Sequence, residues 1–507
     1  MAGARVVSAA DLVALVCCDL GGIVRGRSVL ASELEAQLGA GVGWVPANQA
    51  LTPLGPVAEP NPFGSIGDLR LLPDPATHVR VGPEPPEAGQ PVGAGWDAGG
   101  GSQAGDGQGS GWGSRAGVPG PGAAGAFELL LCDIVETDGR PWACCPRSLL
   151  RETLARIEGE LGAQVRVSFE HEFQLLDADG HPAVAPRRGE AEEPFRPDPS
   201  PPLTRSPAPL PFSLEAVRTV EPFAGELMGA LIEAGVEPER FFAEYAPRQF
   251  EVPVAASDGL AAADRSVVFR EVVREVARRR GLRASFSPLL DPADAGNGVH
   301  IHLTLLDGRG ESLLYDPGRP GALSELGGRF AAGVLAHARA LSALTAPSPV
   351  SHARLGPHRW SAGAVCLGLQ NRETLLRITP VVSLAGADPA AQLHLEYRGA
   401  DGAANPHLAL SALLLAGLEG VRSELPPPEI LDRDPATLEP GEAARFGVDG
   451  LPGSLEEALR ALAEDDAVRS HLNPLLYEAY VSVKRAELEA VATWTVEERC
   501  RRYAHIY

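Results

Sequence analysis

The tightest constraint on this chain is a set of four short charged runs whose residues alternate as strand residues do. They are VSFEHEF (167–173), EYAPRQFEV (244–252), GNGVHIHLTL (296–305) and LHLEYRGADGAANPHLAL (393–410). Side chains alternate faces along a strand, so Glu170 and Glu172 point the same way, as do His300 and His302, and Glu396 and Arg398. Each pair can line one wall of a cleft. A pocket that gathers Glu170, Glu172, Glu244, Glu251 and Glu396 cannot keep its carboxylates ionised without cations, because like charges at close range raise each other's pKa values. Divalent ions meet that need. Oxygen-rich sites with one imidazole suit Mg2+ or Mn2+ better than zinc, which favours cysteine and more histidine. Any single run is equally well explained as a solvated strand edge, and the weight lies in their joint order and spacing.

In that order the runs resemble the motifs of the glutamine synthetase family, from roughly Asp11 to the C-terminus apart from two insertions. The family's E-x-E strand resembles Glu170 and Glu172, its E-x-x-P-G-Q-x-E segment Glu244 to Glu251, and its G-x-G-x-H-x-H segment Gly296 to His302. HARL then carries Arg354, NRETLLRI carries Arg372 and Arg377, LEYR carries Glu396 and Arg398, and residues 404–421 resemble the A-N-P-Y-L helix. The resemblance implies an α+β fold: an N-terminal beta-grasp domain over 1–145, then a catalytic α/β domain over 146–507 with a curved antiparallel sheet. It implies ATP-dependent activation of glutamate's side-chain carboxylate, which does not react with an amine unaided because its oxygen is a poor leaving group. Glu172, Glu244 and Glu251 would hold one Mg2+ or Mn2+ on the substrate side. Glu170, His300 and Glu396 would hold a second against the ATP phosphates. Arg354 and Arg398 would take the carboxylates of glutamate, and Gly296 and Gly298 would let backbone approach it closely. His302, Arg377 and Arg372 would bind ATP, with Arg372, Glu396 and Arg398 as the catalytic residues. The family's beta-grasp domain completes a neighbour's site, so a ring-shaped homo-oligomer is implied, two stacked hexamers as in bacterial relatives, with active sites between subunits.

The departures from the family pattern bear on the nucleophile. Where ammonium-using members carry an acidic flap residue, this chain reads GPHRWSAG (356–363), with Trp360 in its place. The stretch LTPLGPVAEPNPFGSIGD (51–68) shows no acid at the distance before Asp68 where an ammonium-site aspartate is expected. Both losses remove charge that would bind ammonium, a pattern that resembles the branch making γ-glutamyl amides from polyamines or other amines. Trp360 then belongs to the substrate pocket. Arg248 replaces the glycine before Gln249, VSHA replaces the N-S-Y segment, and RSELPPPEILDRD (422–434) lacks the tyrosine that is adenylylated in some members. Three readings stand: a glutamate–amine ligase whose amine is not ammonium, a divergent glutamine synthetase, and a non-catalytic relative. Crowded carboxylates cost stability without cations, so their retention speaks against the third.

Composition is compatible. The chain has 507 residues, 44% of them hydrophobic, and a mean hydropathy of −0.03, enough for an extensive core and about two or three domains. A net charge of −22 argues against nucleic acid. The apolar run VVSAADLVALVCCDLGGIV (6–24) is interrupted by Asp11 and Asp19 and shows no A-x-A pattern, so neither a membrane span nor a secretory signal is expected and a cytoplasmic location follows. Seven cysteines without a C-x-x-C pair read as reduced, buried thiols. Lys484, the only lysine, excludes a Walker loop and leaves phosphate to arginine. Residues 83–125 read as a disordered Gly-rich loop and 181–211 as a Pro-rich surface excursion. Residues 12–29, 69–81 and 127–145 read as strands of one sheet. Helices are expected over 264–282, capped by Asp264 and Gly281, and over 454–466 and 473–491.

Overall fold

The computed structural model describes residues 11–82, 126–177 and 210–507, apart from His358, Trp360 and Ser383. The Gly-rich stretch, nearly all of the Pro-rich one and Trp360 therefore lie outside the described residues. Among the described residues no helix is long and apolar enough to cross a membrane.

Two sheets organise the chain. In the first, Leu12–Cys18 and Val24–Leu30 form the expected hairpin, and Leu12–Cys18 runs parallel to Phe127–Glu136. The latter strand also pairs antiparallel with Leu69–Pro73 and Val79–Val81, and Val42–Trp44 closes the edge beside Leu69–Pro73. The second sheet has ten strands centred on Gln164–Leu176. On one side of it lies Gln249–Val252; on the other lie Val299–Leu306, Leu395–Ala400 and Thr374–Ile378 in turn, all antiparallel. The expectation of an antiparallel sheet fails at the far edge. There Ala364–Leu369 pairs in parallel with both Thr374–Ile378 and Ile430–Leu431. The short 370–373 segment, entered through Gln370 at φ 55, carries the chain back so that the next strand runs the same way.

Helices cover the second sheet. Gly259–Arg279 packs on the central strand through Val268, Val272, Val273 and Val276, all buried as their spacing predicts. Its start differs from the expectation. Leu260 to Ala263 are good helix formers and extend the helix by a turn, so Asp264 is an interior, buried residue and not the cap. Gly281 does follow the last turn, at φ 67. Leu455–Glu464 and Pro474–Ala490 form as expected, capped by Ser454 and Asn473, and Asn405 caps Pro406–Arg422.

The hydrophobic core is continuous between the sheets: Val13, Leu71 and Ile134 belong to one cluster with Val167, Ile301 and Leu413. A buried ionic joint crosses the same boundary. Arg147, at the start of Pro146–Leu161, donates to Asp264 (2.9 and 2.8 Å), Asp133 (3.0 Å) and Asp74 (2.8 Å), and His407 lies 2.8 Å from Asp264. Lys484 is fully buried, its ammonium 3.0 Å from Glu487, which also accepts from the Tyr503 hydroxyl at 2.7 Å. All seven cysteines are unpaired and buried.

Candidate active site

Strand register gathers the charged runs into rows. Glu251 stands opposite Glu172, and Glu170 opposite His300. His302 stands opposite Glu396, which in turn faces Arg377. Each row spans neighbouring strands on one face, because every motif residue is two positions from the next. Glu244 joins from the turn between Phe242–Ala243 and Gln249–Val252.

The resulting pocket is electrostatically lopsided. On one side, Glu396 is buried, but His302, Arg398, His300 and Arg377 outweigh that burial and hold its carboxyl down to about 2. Arg377 and Arg398 both donate to it in short hydrogen bonds. Glu170 is likewise held well below the usual range against its burial, chiefly by His302 and His300. His300 Nδ1 is 3.4 Å and His302 Nε2 3.1 Å from Glu170 Oε2. On the other side, burial pushes Glu251 well up, and the charges of Glu170, Glu172 and Glu244 add to it. Burial and the charge of Glu172 raise Glu244 to about 8. The basic residues neutralise one half of the acid cluster and leave the other half in excess.

That excess fits divalent cations. Among the described residues, Glu170, Glu251 and His300 offer one ligand atom each within 4.8 Å of one another, and so do Glu170, His302 and Glu396. Oxygen donors with an imidazole are the donor set expected for Mg2+ or Mn2+. The grouping differs from the implied one, since His302 enters a set while Glu172 and Glu244 stand beside them. Glu172 instead accepts from Gln249 Nε2 (3.0 Å) and from the Gly298 backbone N–H (2.8 Å).

The arginines are placed unevenly. Arg354 is buried and donates to the Ala400 carbonyl at 2.8 Å, while its Nε has no partner. Asp401, fully buried with Oδ2 unpartnered, is the strongest of the charges that support it. Gly296 and Gly298 lie against Arg354: a Cβ at Gly296 would come within 2.5 Å of its Cγ, and one at Gly298 within 3.0 Å of Nη1. In this structure the glycines make room for an arginine. Arg398, besides clamping Glu396, donates to the Arg372 carbonyl at 3.1 Å. Arg372 is exposed on the 370–373 turn, lining an open cleft of about 460 Å3, and its charge reaches Glu244.

Three supporting residues were not singled out from sequence. Gln249 ties Glu172 to the Gly296 carbonyl (2.9 Å) and to Asn297 (3.0 Å). His394 lies 2.8 Å from His302, and burial pushes its imidazole down to about 4. All three lie inside the quoted runs; Gln249 and His394 each sit two residues before a motif glutamate, so alternation was the available signal for them, while Asn297 falls out of step with His300 and His302. The 51–67 stretch does contain one acid, Glu59, which is exposed.

Models of the glutamine synthetase N-terminal domain and catalytic domain match residues 1–95 and 143–503. Gamma-glutamylpolyamine synthetase GlnA3 of Streptomyces coelicolor is 34% identical over 486 residues, covering 94% of this chain and 90% of that protein. Glutamine synthetase of Methanocaldococcus jannaschii is 30% identical over 373 residues, covering 72% and 76%. Among solved structures, a novel glutamine synthase homologue is 43% identical with a TM-score of 0.79 over 99% of each chain. A GmaS/ADP complex is 25% identical with a TM-score of 0.72 over 96% and 94%.

Proposed function

Because the chain belongs to the glutamine synthetase family, whose members are ATP-dependent ligases using glutamate and divalent metal ions, we propose that it joins an organic amine, in preference to ammonium, to the γ-carboxylate of glutamate. The reaction runs through γ-glutamyl phosphate: a carboxylate oxygen attacks the terminal phosphorus of ATP, ADP leaves, and the amine then displaces phosphate from the acyl carbon. The observation that carries the choice of amine is the flap GPHRWSAG, with Trp360 where a carboxylate would bind ammonium. The S. coelicolor relative's name points the same way. Beside Glu244, Tyr245 and Phe212 are 39% and 55% exposed with ring centroids 5.4 Å apart, a surface suited to an apolar amine body.

In this reading Arg354 and Arg398 bind the carboxylates of glutamate, Arg377 and Arg372 bind ATP, and Arg372 neutralises the phosphoryl group in flight. Glu172, Glu244 and Glu251 would hold one divalent ion, and Glu170, His300 and Glu396 a second, with Mg2+ or Mn2+ the fitting metals. Such ions would supply the positive charge that the Glu244–Glu251 side lacks. The N-terminal part, 1–145, acts as a beta-grasp domain that completes a neighbour's site on the catalytic part, 146–507, in a dodecameric ring. Unpaired thiols fit a reducing cytoplasm. Light scattering on active protein tests the ring, and a fully active monomer sinks the shared site.

The deciding experiment is kcat/KM for ammonium against a panel of amines, in wild type and Trp360→Glu. The best organic amine should win in wild type by more than about tenfold, equivalent to about 1.4 kcal/mol, and the substitution should narrow the gap. If ammonium is already the best nucleophile, the chain is a glutamine synthetase in the strict sense.

A further inference from the structure

Arg270 lies on the Gly259–Arg279 helix and is 1% exposed. Among the described residues its hydrogen bonds go to the carbonyls of Gly402 (2.8 Å) and Gly22 (3.3 Å) and to the Cys18 thiol (3.6 Å), none of them an anion. Those bonds clamp a segment on which the site depends. Gly402 follows Ala400 and Asp401, and the Ala400 carbonyl anchors Arg354 at 2.8 Å. Asn405 ties the same segment to the first sheet, donating to the carbonyls of Cys18 (2.9 Å) and Asp19 (3.0 Å). Gly22 leaves no slack there, since a Cβ on it would come within 2.1 Å of the Ala403 oxygen.

A cavity of about 10 Å3 is lined by Arg270, Asp401, His171 and Ser266 and otherwise by apolar residues. That is on the order of the room one water molecule needs. Among the described residues Arg270 Nε, Asp401 Oδ2 and His171 Nδ1 are buried and make no hydrogen bond. The three are complementary, because the Arg270 N–H only donates, a carboxylate oxygen accepts, and a neutral imidazole nitrogen does either according to its tautomer. One water meets all of them, accepting from Arg270, donating to Asp401 and completing its shell with His171, about the three hydrogen bonds usual for a buried water. An ion does not, because Arg270 repels a cation and Asp401 repels an anion.

We propose that this cavity is a site for one buried water, and that Arg270, through that water and through the Gly402 carbonyl, is a positioning residue for Arg354. The water fixes the Asp401 carboxylate, whose charge supports Arg354, and the Gly402 bond fixes the backbone that Arg354 grips. The positioning role rests on the reading of Arg354 as a residue that takes a carboxylate of glutamate; the water site does not.

The test pairs a crystal structure of the full chain with steady-state kinetics. Electron density at a resolution that shows ordered water should place one molecule about 3 Å from both Arg270 Nε and Asp401 Oδ2, and a dry cavity overturns the proposal. Asp401→Asn should raise the glutamate KM by roughly tenfold, with kcat and the ATP KM changed by less than about twofold, while the melting temperature above pH 6 rises. A residue that only holds the fold together would lose stability and activity together. Arg270→Lys keeps the charge but not the planar fork and should raise the glutamate KM by a similar factor; should it fail to fold, Asp401→Asn and the density decide. Arg354→Lys is the reference and should raise the glutamate KM by more than either. An unchanged glutamate KM in Asp401→Asn beside a raised one in Arg354→Lys overturns the positioning role. No effect in Arg354→Lys overturns instead the assignment of Arg354 to glutamate, and the density still judges the water site.

Discussion

Around Arg147 every charge is answered, since three aspartates surround one guanidinium and His407 closes on Asp264 from the other side. Around Glu251 the opposite holds, because the charges of Glu170, Glu172, Glu244 and Glu396 all push its carboxyl further up. Both clusters are buried and both are built from carboxylates, histidine and arginine. What separates them is closure. Asp264 stays low despite its burial because Arg147 and His407 donate to it, so that cluster is a joint between the two sheets and needs nothing else. The Glu251 cluster carries more acid charge than its neighbours answer, an excess that a ligand of opposite charge would complete. Burial of charge therefore says little about role, whereas the balance of donors and acceptors separates a joint from a site.

The sharpest way to break the contrast is Glu172→Ala. It should lower kcat/KM, followed by phosphate release at saturating Mg2+, by more than about a thousandfold, or about 4 kcal/mol, while the melting temperature holds or rises. Full turnover in that variant would falsify the site assignment. Arg147→Ala should do the reverse. It should cost about 3 kcal/mol in denaturant unfolding, the lower end for a broken buried pair because Asp264 keeps His407, with kcat/KM per folded molecule unchanged. A loss of activity without loss of stability there would make the joint part of the site.

The smallest effect is a pair of opposite pH slopes. Arg147 and His407 lower Asp264 below its ordinary 3.8 against its burial, so its contribution to stability is present above that value and disappears as pH falls through the folded pKa. Asp401, beside Arg354, is pushed by burial from 3.8 to about 6, so its contribution is complete below 3.8 and lost as pH rises through 6. Asp264→Asn should thus lower the melting temperature at neutral pH, with the gap narrowing in acid. Asp401→Asn should stabilise the protein above pH 6 by on the order of 1–2 kcal/mol and so raise the melting temperature there, with the gap closing towards pH 4. Melting curves across that range check both, and slopes of the same sign would remove the distinction.

The site was largely legible in sequence because its residues sit on strands, where alternation is local and strict. Glu170, Glu172, His300, His302 and Glu396 needed no knowledge of pairing order to be placed on common faces. What depended on distant partners was not legible. Asp264 reads as a helix cap until Arg147, 117 residues away, is brought beside it. Gly296 and Gly298 read as room for substrate until Arg354 packs against them. Arg377 and Arg398 read as substrate contacts, yet in this structure both turn to Glu396. The parallel pairing of Ala364–Leu369 follows from how a short turn returns the chain, which side-chain periodicity does not encode.

Lys484 carries a practical consequence. It is the chain's only lysine, and it is wholly enclosed between Glu487 and the ring of Tyr480. The folded protein thus offers no exposed ε-amino group along these residues to acylating dyes, lysine crosslinkers or acetyl donors. Opening of the Pro474–Ala490 helix would expose that amine, so the rate at which Lys484 takes up a label would be a clock for the opening of that part of the molecule.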